Sequence, residues 1–139
     1  MCFESTAMHE AGHVMVARVL GCQIISCEIN VAGDKTAGRT SFGAPETLLP
    51  IEKIAIAAAG MMAQNIAGLC DHIHDHAWIS DVVEISELVE MYGDEQLKDA
   101  GEKHAQNILI NHWDKVRYLA GELVKRSILT GEEIQRMLA

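Results

Sequence analysis

Apolar residues recur at helical spacing along most of the chain, with one interruption where the period drops to two. Across residues 5–20, Ala7, Met8, Val14, Val16, Ala17 and Leu20 supply the apolar positions of a first helix, and Gly21 follows as its stop. Residues 23–31 then alternate. Ile25, Cys27, Ile29 and Val31 fall on one face and Ser26, Glu28 and Asn30 on the other, the signature of a half-buried strand. Turn chemistry at residues 32–35 and a return strand over 38–42 predict a β-hairpin. Pro50 suits the first turn of a helix ending near Gly68, whose small residues at 55–60 predict close packing by a neighbouring element. Residues 69–79 read as a histidine-rich loop. Ser80 or Asp81 opens the next helix, with Val82, Ile85, Leu88 and Val89 inward and Gly93 as its stop. Two more helices are predicted over 94–127, and Thr130-Gly131-Glu132-Glu133 is a capping box that starts a short last one. The expected fold is a single domain over residues 1–139, mainly α, with a small β-hairpin after the first helix.

Composition narrows the function. A chain of 139 residues, 49% hydrophobic and 22% charged, has the make-up of one globular domain. A net charge of -9 argues against nucleic acid, whose phosphates need a basic patch, and gives no attraction to anionic lipid. The most apolar stretch, residues 54–63, is too short to span a bilayer and is flanked by Glu52, Lys53, Gln64 and Asn65; it reads as a buried helix. Cys2, Cys22, Cys27 and Cys70 form no CxxC pair, and the opening Met1-Cys2-Phe3-Glu4 lacks the basic and apolar segments of a secretory signal. Reduced thiols and a cytoplasmic location are the expectation.

The chemistry lies in the first helix. His9-Glu10-Ala11-Gly12-His13 is HExxH. Residues four apart share a helix face, so two imidazoles converge on one metal ion, while Glu10 reaches the water that the metal activates and serves as general base, then acid. Gly12 costs a helix interior about 1 kcal/mol relative to alanine. Either its missing side chain admits a close neighbour or substrate, or packing tolerates it. A catalytic zinc site needs a third protein ligand. Leu20 stands where an HExxHxxGxxH protein has its third histidine, and spacing does not choose among Asp81, Glu84, Glu87, His72, His74 and His76.

The segment from Ala7 to Ala17, AMHEAGHVMVA, resembles the HEAGHALVA helix of the FtsH-type ATP-dependent zinc proteases. Similarity continues in order along nearly the whole chain. The hairpin of residues 24–42 sits where that family has a short β element. Residues 58–68 resemble its GGRAAEE-type helix, Ser80-Asp81 its SND segment, and LTGEEI at 129–134 its closing turn and helix. The resemblance implies a compact helical zincin-like fold and a zinc-dependent endopeptidase, with His9, His13 and Asp81 as Zn2+ ligands and Glu10 as catalytic base. The substrate would be a polypeptide. Homo-oligomeric rings are a property of the resembling family. The family's paired glutamates are replaced here by Gln64 and Asn65, and no Walker A sequence occurs. A chain lacking a motor is expected to cut flexible or unfolded polypeptides, or to borrow a separate ATPase. The competing expectation is a catalytically retired adaptor or regulatory domain, which retention of Glu10 argues against. For His72, His74 and His76 the expectation is a solvated loop, with metal binding there, or His76 orienting a ligand, as the alternative.

Overall fold

The computed structural model describes residues 3–32, 35–69 and 76–139. Among them the chain is mainly helical, with a small three-stranded antiparallel sheet. Helix α1 (Phe3–Val19) leads into strands β1 (Gln23–Ala32) and β2 (Lys35–Gly43), then helices α2 (Pro50–Ile66), α3 (His76–Tyr92), α4 (Leu97–Asn111) and α5 (Trp113–Arg126). Strand β3 (Ile128–Thr130) and helix α6 (Gly131–Leu138) close the chain. No helix among the described residues is long and apolar enough to cross a membrane.

Helix α1 is the axis of the domain. It is buried on nearly all sides because small residues alternate with aliphatic ones: Ala7, Ala11, Val14, Val16 and Ala17 are fully buried. Its chain reverses at Gly21, whose φ of +92° an L side chain rarely adopts. Helix α2 lies against α1, α3 and α4, and its residues 54–61 are buried throughout, as expected for the most apolar stretch. Pro50 occupies its first turn, and Glu52 Oε1 accepts from the Leu49 amide at 2.8 Å. The α1–α2 approach depends on Gly12. A Cβ there would lie 2.6 Å from the Ala59 carbonyl oxygen and 2.7 Å from the Ala63 Cβ. Of the two readings of this glycine, close approach is the observed one, and the neighbour is α2.

The sheet has the order β2-β1-β3, which leaves β2 as an edge strand facing α1. The hairpin is longer than the sequence suggested, with Ala32 opposite Lys35; residues 33–34 lie outside the described set. The expected inward face of β1 needs correction. Cys27 and Ile29 are buried, but Ile25 and Val31 are each 60% exposed. A bulge sets Ile24 opposite Phe42 and Ser26 opposite Ser41, so Ile25 is an extra residue that reverses the alternation, and Ile24 packs on the core instead. Val31 is the penultimate residue of β1, at the hairpin end.

Two further expectations change. Helix α3 begins at residue 76 rather than at Ser80 or Asp81, because Trp78 and Val82 pack on the cluster built from Ile54, Ala57, Ala58 and Met61. Asp81 is therefore inside the helix, not its capping residue. Strand β3 was not anticipated. It is three residues long and carries one buried side chain, Leu129. The capping box is present as expected: Glu133 N donates to Thr130 Oγ1 at 3.2 Å, and Thr130 N donates to Glu133 Oε1 at 3.0 Å.

Replacing Gly12 with alanine should destabilise the fold by about 1–3 kcal/mol through overpacking, even though alanine is the better helix former. Gly121, in α5 with no atom within 4 Å of a Cβ placed there, is the control. Gly121→Ala should be neutral or stabilising by up to about 1 kcal/mol. Urea unfolding of both variants measures the difference; equal effects would remove the packing argument.

Candidate metal centre

The helical spacing of His9 and His13 places their rings on one face of α1, with centroids 4.8 Å apart. Tertiary contacts then fix each ring. His9 lies over Gly60 of α2, where a Cβ would come within 2.5 Å of the imidazole, so this glycine makes room for the ring. His9 Nδ1 donates to Gln64 Oε1 at 2.9 Å. The direction follows from the amide: Gln64 Nε2 donates to the Ser5 carbonyl and hydroxyl at 3.2 and 2.9 Å, which leaves Oε1 as acceptor. His13 Nδ1 lies 2.8 Å from the Ile56 carbonyl oxygen, which can only accept. Both outer nitrogens therefore carry hydrogen, and in the neutral rings both Nε2 atoms turn a lone pair inward.

Asp81 of α3 completes the group. Its Oδ2 lies 2.8 Å from His9 Nε2 and 3.0 Å from His13 Nε2, and the two Nε2 atoms are 3.2 Å apart. Three acceptors so close repel one another unless a cation sits among them. One cation is a proton. Burial works against a charge on His13, but its hydrogen bond to Asp81 and the charges of Asp81 and Glu10 outweigh that and raise its pKa to about 9. Burial would raise the Asp81 carboxyl, but hydrogen bonds from His13 and His9 and their charge hold it down at about 2. The other cation is a metal. Ligands about 2.0–2.1 Å from a tetrahedral ion lie about 3.3 Å from each other, close to the separations found here. His9, His13 and Asp81 could thus hold a metal ion with little rearrangement.

These three residues and Glu10 line one cavity of about 250 Å³, between α1, β2 and α3. The Glu10 side chain is buried, and its Oε1 accepts from Thr40 Oγ1 at 2.7 Å. Glu84 is at the rim, where partial burial and then the Asp81 charge raise its pKa. It is not one of the three converging ligands. A larger cavity of about 730 Å³ lies between Arg18, Ile24 and α6, away from this group and without its chemistry.

The sequence-predicted residues His9, Glu10, His13 and Asp81 are brought together. The described His/Cys/Asp/Glu residues that could hold a metal are His9, His13 and Asp81, without Glu84 or Glu87. The His72, His74 and His76 side chains, and with them Cys2 and Cys70, lie outside the described residues. Cys22 and Cys27 are buried free thiols. Sequence reasoning misses Gln64 and Gly60, and it reads residues 38–42 only as a strand whose edge an extended substrate could join, without the contacts of Gly38 and Thr40 to Glu10. In the sequence Gln64 is a polar flank of the apolar stretch and a departure from a glutamate of the resembling family, yet its amide oxygen still accepts the His9 hydrogen. The small-residue stretch at 55–60 was the one signal for Gly60. No protein-family model matches the chain, and no curated protein matches it.

Because His13 keeps its proton up to about pH 9 when no metal is bound, metal uptake must displace it. Titration calorimetry in buffers of different ionisation enthalpy should show about one proton released per metal near neutral pH, with apparent affinity rising about tenfold per pH unit and levelling near pH 9. Uptake without proton release would contradict this geometry. The sign for stability without metal is opposite. His13, with a raised pKa, stabilises fully below about 6.5 and loses that contribution as pH rises through about 9. Asp81, with a lowered pKa, contributes above 3.8 and loses it as pH falls through about 2.

Proposed function

We propose that this chain is a zinc-dependent endopeptidase that works like the FtsH-type peptidase domain, with a zincin-like fold. One observation carries the reading: three inward-facing ligand atoms converge in a cavity that also holds a buried carboxylate one residue along the same helix. A binding module for a metal alone has no use for Glu10 beside it. His9, His13 and Asp81 would hold the ion. Zinc, when bound, supplies a Lewis acid that lowers the pKa of water and polarises a peptide carbonyl.

The remaining work falls to the chain's own residues. Glu10 takes a proton from the attacking water and later gives it to the leaving amine. Gln64 and the Ile56 carbonyl keep both imidazoles in the tautomer that a metal needs. Strand β2 borders the cavity through Gly38, Thr40 and Phe42 and is an edge of the sheet, so its outer edge beside the cavity can take an extended polypeptide as one more strand. Such recognition reads backbone rather than side chains and suits flexible or unfolded substrates. A separate unfolding ATPase and a ring of copies are part of the same proposal, as is a cytoplasmic setting, with which the free thiols of Cys22 and Cys27 agree.

Glu10→Gln separates this reading from that of a retired adaptor. With zinc supplied, the wild type should cleave an unstructured peptide, and the variant should lose about 10²–10⁴-fold in kcat while keeping its metal. Wild-type protein that holds zinc yet cleaves no unfolded substrate would favour the adaptor.

A further inference from the structure

Strand β2 does more at the site than border it. Its alternate residues face α1 and meet the helix in turn. Thr36 Oγ1 lies 2.5 Å from Thr6 Oγ1. Gly38 lies against the Glu10 side chain, where a Cβ would fall 2.5 Å from Cγ and 2.7 Å from Oε2. Thr40 is next on the same face. Its hydroxyl is 2.7 Å from Glu10 Oε1 and 3.4 Å from the Glu10 carbonyl oxygen. A hydroxyl has one hydrogen, and the shorter contact, to a carboxylate, takes it. The lone pairs of Thr40 Oγ1 are then free to accept, and Cys27 Sγ lies 3.7 Å away across the β1–β2 pair. Burial, only partly offset by the Thr40 hydrogen bond and helped by the charges of Glu10 and Glu28, pushes the Cys27 thiol up to about 12, so it keeps the hydrogen it donates. The chain of donors therefore runs from Cys27 to Thr40 to Glu10. Among the described residues no hydrogen bond reaches Glu10 Oε2, which lies over Gly38.

We propose that Thr40 is the positioning residue for Glu10: its hydroxyl holds Oε1, and Gly38 leaves Oε2 the space from which it takes the proton of the attacking water. The assignment rests on the peptidase reading of Glu10. A carboxylate has two oxygens and free rotation about its last bond. Tying one of them selects the orientation of the other, which proton transfer requires to be within about 2.6–3.2 Å of its target. The same strand that would receive the substrate backbone thus also aims the base at it, so that substrate and base share one frame.

The test compares zinc-loaded wild type, Thr40→Val and Thr40→Ser. Valine keeps the shape and the strand preference and removes the donor; serine keeps the donor. Thr40→Val should lower kcat about 10–100-fold, with KM within about threefold and zinc per chain unchanged, and Thr40→Ser should restore kcat to within about threefold. Wild-type turnover in Thr40→Val would overturn the assignment. So would equal losses in both variants, which would mean that packing and not the hydroxyl matters. A crystal structure of zinc-loaded Thr40→Val gives a readout without activity, and separates this proposal from the peptidase reading. If the wild type cleaves nothing, the peptidase reading fails, and the carboxylate itself decides the positioning claim. Glu10 turned from its wild-type orientation supports the assignment; Glu10 in its wild-type place overturns it.

Discussion

The close approach of α1 and α2 governs the site. Two helices can come this near only where side chains are small, and the contact is built from Gly12 against Ala59 and Ala63, and from Gly60 against the His9 ring. The same approach brings Gln64 and the Ile56 carbonyl within hydrogen-bond range of the two imidazoles. Packing and ligand orientation are therefore one arrangement. If a side chain at Gly12 or Gly60 pushed the helices apart, the hydrogen bonds that fix the tautomers would lengthen together with the loss of packing.

A second consequence is electrostatic. Helix α1 presents two lone pairs, α3 adds the Asp81 carboxylate, and the buried Glu10 carboxylate stands beside them. Gathering so many acceptors where water is scarce is unfavourable unless a positive charge accompanies them. The shifts at His13 and Asp81 express that demand through a proton. A divalent ion answers it more fully, since it can bond all three atoms at once. The neutral Gln64 behind His9 satisfies the outer nitrogen without adding another negative charge to the cluster.

How much of this was legible in the sequence depended on distance along the chain. His9 and His13 were legible because one helical turn joins them, and their shared face follows from local geometry. The helix stops at Gly21 and Gly93 and the capping box at Thr130 were local signals too, and all three are present. Asp81 is 68 residues from His13, so residue type and spacing left it level with several rivals; only the family resemblance singled it out. Thr40, Gly38 and Gln64 reach the site through strand pairing and helix packing, which no periodicity encodes. The bulge at Ile25 reversed an alternation that looked regular, because one inserted residue is invisible until the partner strand is in register. Strand β3 was too short to leave a pattern.

The central claim is that His9, His13 and Asp81 together hold one metal ion. Zinc per chain, determined by elemental analysis after dialysis of wild type and of Asp81→Ala, tests it most directly. The account predicts close to one equivalent in the wild type and far less in the variant, with both proteins folded. Equal zinc in the two would contradict it, because the carboxylate would then play no part in holding the ion.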